Sequence, residues 1–336
     1  MPGRIVSFLC LCFLVMPAWS QTAPPDAIGA DTADVAPEPI HIVGQRPGPG
    51  LWKVTKGGHV LWVFGSYAPL PKKMEWRSQQ VETILAESQE YLSPPSASAQ
   101  VGFFRGLTLL PYVIGLKNNP DGATLHDVLP ADVYARWLPL KAKYLGDDSG
   151  IERERPIFAA DELYRKGLDA AGLSPGQEVQ KAIEKMVKDK HIKTTASAIA
   201  LQVDDPVAMM KDFKRSPLDD GACFAKTLER LETDIDVMRV RAAAWAKGDL
   251  AGLEKLSFAD REAACRSAMS DATFIKGRAD FATAAERMQQ AWMTAAENAL
   301  ATNDSTFAVL PLRLILDPAG YMTALQAKGY AVDKPE

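Results

Sequence analysis

Histidine is scarce in this chain: four occur in 336 residues, at His41, His59, His126 and His191. None stands in a pair spaced to share a metal, such as His-x-x-x-His on a helix, so metalloprotease chemistry of that pattern is not encoded. A Gly-x-Ser-x-Gly elbow is missing, as is a glycine-rich phosphate loop, which removes two common hydrolase and nucleotide-binding readings. Charge of one sign is not concentrated: 38 basic residues are set against 42 acidic ones, for a formal net charge of −4. Without a basic patch to follow a phosphate backbone, nucleic acid is excluded as a partner. Long apolar runs are lacking too. The nearest are Ile5 to Met16, twelve residues, and Phe103 to Leu116, fourteen residues. A stable membrane anchor needs roughly 20, so none is expected.

The first of these runs has another use. Arg4 precedes it, and Ala18 and Ser20 follow it as small residues, which together read as a signal peptide over residues 1–20 cleaved after Ser20. A buried N-terminal helix is the competing reading. Export to the periplasm, or secretion, follows from the signal. Residues 21–45 are rich in Pro, Ala and Asp and cannot bury enough apolar surface to order themselves, so they read as a flexible leader. Loss of the signal leaves 37 basic against 42 acidic side chains, about −5, and two cysteines, Cys223 and Cys265. In an oxidising compartment these are expected to pair; two buried free thiols are the alternative. A bridge would close a loop of about 40 residues and contribute roughly 3–4 kcal/mol on the chain-entropy model.

Residues 46–336 read as a single α/β domain: a mixed sheet built from N- and C-terminal strands, with a large helical insertion over about 120–300. Leu51–Val54 and His59–Gly65 are two strands joined at Gly57-Gly58, a dipeptide that tolerates the positive φ of a tight hairpin. The second strand is apolar throughout, as a strand covered on both faces should be. A helix follows with Val81, Ile84 and Leu85 on one face and Ser78 as its cap. In the middle, Leu125, Val128, Leu129, Val133, Trp137 and Leu140 recur at helical spacing. So do Leu228, Leu231, Ile235, Met238, Ala242 and Trp245, which predict one long helix ending near Gly248, the first arm of a helix hairpin flanked by the two cysteines. Phe103 to Leu116 reads as a core helix broken at Pro111 or as a membrane-contacting segment. Thr306–Leu310 and Tyr330–Val332 are strands, with a helix between them capped by Asp317 and closed by Gly329.

The two ends carry a resemblance. Leu51-Trp52, Gly57-Gly58, Phe64-Gly65, Leu70-Pro71 and Trp76-Arg77-Ser78 occur in the order seen at the start of the TraB/GumN family, which includes the Tiki-type peptidases. The closing segment from Thr306 to Val332 also resembles that family's strand, loop, helix and final Gly-Tyr-x-Val. The similarity spans Leu51 to Val332, strong at both ends and loose in the helical middle. It implies two histidine-bearing turns, Gly-x-x-His or Gly-x-Gly-His, that meet from opposite ends of the chain at a metal-dependent hydrolytic site. Here the first histidine position is Ala68. The second is Leu314, or Arg313 in a register shifted by one, within Leu310-Pro311-Leu312-Arg313-Leu314. The acidic position after the first helix falls at Ser93-Pro94, and the middle Gly-x-Asp turn reads Glu178-Val179-Gln180. Glu286-Arg287 is kept, with Met288 in place of the neighbouring asparagine.

These substitutions predict a family frame without its metal chemistry. No catalytic residue, metal ligand or cofactor is expected. The cleft to examine is floored by Gly65, Ser66 and Tyr67, approached by Glu286 and Arg287 and edged by Arg313. For Arg287 a plain structural ion pair is the competing role. The implied function is binding or scaffolding of an envelope protein or peptide; the alternative is hydrolysis by non-standard ligands. A weaker third expectation is an envelope-surface role for Phe103 to Leu116.

Overall fold

The computed structural model describes residues 48–74, 76, 79–100, 109–255 and 261–335. The signal and leader segments, His41, Ser78 and Phe103 to Thr108 lie outside the described residues. Residues Gln45–Glu336 make one compact unit.

Strands β1 (Leu51–Lys56) and β2 (His59–Ser66) form the expected hairpin. Gly57 and Gly58 turn it with φ of +61° and +92°, values that a side chain would resist. Along β2, Leu61, Val63 and Phe64 are fully buried, which is why its sequence does not alternate. The strand is covered on both faces. The short strands β3 (Leu70–Pro71), β4 (Glu90–Leu92), β5 (Ser96–Gln100), β6 (Leu173–Ser174), β7 (Lys193–Thr195) and β8 (Ala198–Gln202) precede β9 (Ser305–Pro311) and β10 (Ala331–Asp333). The main sheet has six strands in the order β10-β1-β2-β9-β4-β7. Strand β9 lies parallel to β2 and to β4, and β7 lies parallel to β4. The termini therefore do meet in one sheet, as the apolar strands at both ends predict. The helical middle nevertheless contributes a strand of its own, β7, at the sheet's edge, and two small two-stranded sheets, β3-β6 and β5-β8.

Around the sheet stand helices α1 (Gln79–Glu87), α2 (Ala131–Tyr144), α3 (Pro156–Ala170), α4 (Gln177–Asp189), α5 (Pro206–Arg215), α6 (Gly221–Thr233), α7 (Ile235–Ala246), α8 (Arg261–Ser270), α9 (Ala284–Thr302), α10 (Leu312–Leu316) and α11 (Tyr321–Ala327), with shorter turns between them. Helix α1 buries Val81, Ile84 and Leu85, as its spacing predicts. Two cores result. One joins the sheet to α1, α4 and α9; the other, built on Leu125, Trp137, Leu163, Phe224 and Leu228, holds the helical middle. Gly167 lets α3 and α6 approach: a Cβ there would stand 2.5 Å from Leu231 Cδ2.

Four local expectations are corrected. The predicted long helix is two, α6 and α7, separated at Asp234 (φ −107°, ψ 0°); both halves still bury the predicted stripe of Leu228, Leu231, Met238, Ala242 and Trp245. Val128 is exposed because its helical turn ends before Pro130 starts the next helix. Leu110–Val113 is a single helical turn with Pro111 in its first positions, where a missing N–H costs nothing, and Leu110, Val113 and Ile114 are exposed rather than buried in a core helix. Asp317 does not cap α11. Its carboxylate accepts from the Ala319 N–H in the turn after α10, and α11 begins at Tyr321.

Candidate functional site

Parallel pairing decides where function can sit. Strands β2 and β9 run side by side with Ser66 opposite Pro311, so the loops that leave their carboxyl ends emerge together. Open α/β sheets use such an edge for ligands. The first loop is held from beneath: Trp245 Nε1 of α7 donates to the Gly65 carbonyl at 2.7 Å in a buried setting. Gly65 itself is required by crowding. A Cβ would lie 2.8 Å from the Trp52 ring and 3.0 Å from Leu312 Cδ1. Ser66 is fixed too, its Oγ donating to the Leu310 carbonyl at 3.3 Å.

Between the two loops lies a cavity of about 290 Å³. Ser66 at the end of β2 and Tyr67 and Ala68 just after it line one side, and Pro311, Leu312 and Arg313 line the other from β9 and α10. The roof is the start of α4, through Pro175, Gly176, Gln177 and Gln180. Arg230 of α6 and Glu262 of α8 complete the wall. Gly176 makes the roof possible. It has φ +79°, and a Cβ would meet the Tyr67 carbonyl oxygen at 2.7 Å and Ala68 Cβ at 2.9 Å. A wider depression of about 800 Å³ adjoins, sharing Ala68, Pro175, Gln177 and Glu262. Behind the wall, the Cys223–Cys265 disulfide ties α6 to α8. Arg230 lies two helical turns past Cys223 and Glu262 one turn before Cys265, so the bridge holds these two side chains in one frame.

The electrostatics are cationic. Arg230 and Arg241 are buried, at 3 % and 2 % exposure. Burial pushes the Tyr67 hydroxyl up to a pKa of about 12, even though Arg241 and Arg230 pull the other way. Burial likewise raises Tyr164, against the opposing charges of Arg230 and Arg261. Arg313 stands exposed at the rim; partial burial of its guanidinium, and then the neighbouring Arg266, hold its pKa below the usual arginine value.

Other residues singled out from the sequence are placed elsewhere. Glu286 and Arg287 do not line the cavity. Arg287 pairs with Asp280 at 3.2 Å and donates to the Ala200 carbonyl at 3.1 Å, linking α9 to β8, which is the structural ion pair rather than an approach to the cleft. Leu314 packs against the main core while Arg313 faces the cavity. His59 shares a 2.8 Å hydrogen bond with the Asn303 carbonyl, and His126 stacks edge-on against Tyr134. Sequence reasoning missed Gly176, Gln177, Arg230 and Glu262, whereas Gln180, the aspartate position of the implied middle turn, does line the cavity. The Pro175-Gly176 dipeptide was a legible turn signal, but nothing in it says which loop it would touch. A separate cavity of about 490 Å³ is walled mainly by apolar side chains, Phe158, Met209, Phe213, Met269 and Phe274, with Arg266 and Ser270 also on its wall.

This is a mixed α/β domain whose cleft opens at the carboxyl ends of parallel strands drawn from opposite ends of the chain. The TraB/PrgY/gumN family model matches residues 50–334, and the chain belongs to that family. Comparison with curated proteins and with solved structures finds no match. The resemblance implies a metal at the meeting loops, and the donor set can be tested against it. Two guanidinium groups, one carboxylate and no imidazole line the cavity. A divalent cation needs several neutral or anionic donors on one point. Among the described residues, no group of three His, Cys, Asp or Glu side chains is placed to hold one. The residues present do not fit the metal.

Proposed function

We propose that this chain is an exported, non-hydrolytic member of the TraB/PrgY/gumN family that acts as a binding module in the cell envelope. The observation that carries the reading is the juxtaposition of Ser66-Tyr67-Ala68 with Pro311-Leu312-Arg313 around a cavity whose charged lining is mainly cationic. Water activation by a metal requires ligands and an open coordination position, and arginine supplies neither. Tyr67, with its pKa raised to about 12, is no general base near neutral pH. A frame this closely packed, from Trp245 beneath Gly65 to Gly176 above Tyr67, keeps its shape without its chemistry. Among the described residues no helix is long and apolar enough to cross a membrane.

Incubation of the purified chain with a mixed peptide set, in the presence of zinc, manganese or cobalt, tests this directly. The reading expects no cleavage above background. Turnover that depends on added metal and stops with chelator would restore the hydrolase alternative.

A further inference from the structure

Two buried arginines of this protein are used differently. Arg155, 1 % exposed, spends its guanidinium on backbone carbonyls: Nε donates to Asn118, Nη1 to Ser216, and Nη2 to Phe213 and Lys214, at 2.7–3.2 Å. It pins loops together. Arg230, 3 % exposed, leaves Nε and Nη1 without a hydrogen-bond partner among the described residues. Its nearest carboxylate, Asp234, stands 3.7 Å from Nη1. Nε and Nη1 are enclosed by protein, so an anion in the cavity that Arg230 walls acts on the buried guanidinium charge, whose burial is costly to a fold, rather than on those two donors.

Two further features point into the same space. Helix α4 has 13 residues, and its N-cap, Gly176, offers no side-chain cap. Its first turn, which carries Glu178, stands beside the cavity at the positive end of the helix dipole. Such a terminus is suited to anions. At the rim, the neighbouring charge with the largest effect on Arg313 is Arg266, with Glu262 second. Glu262 is the single carboxylate of the lining, and no ion pair joins it to Arg230.

We propose that the cavity between Arg230, Arg313 and the start of α4 binds the oxyanion group of a small ligand, a carboxylate or a phosphate. The neutral body of the ligand lies along Pro175, Pro311 and Leu312. This rests on the reading that the cleft binds without hydrolysing, and it adds the chemistry that the cleft selects.

Calorimetric titration of the full chain at fixed ionic strength, with inorganic phosphate, N-acetyl-alanine and N-acetyl-alanine amide as separate probes, tests the proposal. Phosphate or N-acetyl-alanine binds at one site per chain, and which of them binds distinguishes the two sources of the oxyanion. The amide does not bind. Arg313→Gln, a change at the exposed rim, weakens binding about tenfold or more, as loss of a charge-assisted hydrogen bond should. Arg230→Met abolishes it; if that variant does not fold, Arg313→Gln decides. Failure of both oxyanions to bind, or equal binding by the amide or by Arg313→Gln, overturns the proposal. A parallel zinc titration keeps the two readings apart. One tightly held zinc per chain would sink the non-hydrolytic reading, whereas silence from both zinc and the oxyanions would sink this proposal alone.

Discussion

Replacing Gly176 by alanine separates two effects that usually act together. At φ +79° an alanine pays the left-handed backbone penalty, about 1–2 kcal/mol. Its Cβ also meets the Tyr67 carbonyl oxygen at 2.7 Å and Ala68 Cβ at 2.9 Å. The first of these is backbone, so no rotamer change relieves it, and the overpacking adds about 1–3 kcal/mol. Gly172 provides the control. It has φ +70° and nothing within 4 Å of a built Cβ, so Gly172→Ala carries the backbone penalty alone. Urea unfolding should show Gly176→Ala less stable than Gly172→Ala by about 1–3 kcal/mol, with the same m-value. Equal losses would mean that the α4 roof does not rest on the Tyr67-Ala68 loop, and the described cleft would lose its closest contact.

Removal of the bridge by Cys265→Ser releases a loop with a sequence separation of 42 residues, which on the chain-entropy model costs about 4 kcal/mol; thermal melting under oxidising conditions checks it, and an unchanged midpoint would refute the tie between α6 and α8. Glu90 gives a pH signature. Burial pushes its carboxyl upward, but hydrogen bonds from Thr195, Asn303 and Lys193 outweigh it and hold the pKa below the ordinary 4.5. A depressed folded-state pKa contributes stability that is fully present above the unfolded value and lost as pH falls through the folded one. The melting-temperature gap between the chain and Glu90→Gln is therefore largest above about pH 4.5 and closes in more acid solution; a gap that widens toward low pH would contradict the assignment.

Much of this cleft's position was legible from residues near the chain ends. The apolar, non-alternating run of β2 and the short buried β9 announced covered strands, and pairing them in parallel brings Ala68 and Arg313 to one edge. What faces them was not legible. Arg230 lies between Leu228 and Leu231 on a helix whose apolar stripe accounts for its burial on one side, and a charged residue beside such a stripe reads as solvated. It is buried because α8, tied on by the disulfide, covers a second face of α6. That is a tertiary fact, carried by Cys223 and Cys265 rather than by periodicity. The exposed Leu110, Val113 and Ile114 failed for the opposite reason: an apolar run reads as core whether or not a neighbour arrives to cover it. Arg287 attracted attention as part of a family motif, yet its partners, Asp280 and Ala200, hold α9 to the small β5-β8 sheet.

Loss of metal chemistry is the central claim, and elemental analysis of the purified chain, paired with melting curves in zinc, manganese and cobalt, tests it most directly. The account predicts less than stoichiometric metal and no rise in melting temperature, and the same for Ala68→His, since one imidazole beside two arginines is short of the three protein ligands a catalytic zinc requires. One metal retained per chain, with a concentration-dependent gain in melting temperature, would contradict it and demand a ligand set that these loops do not display.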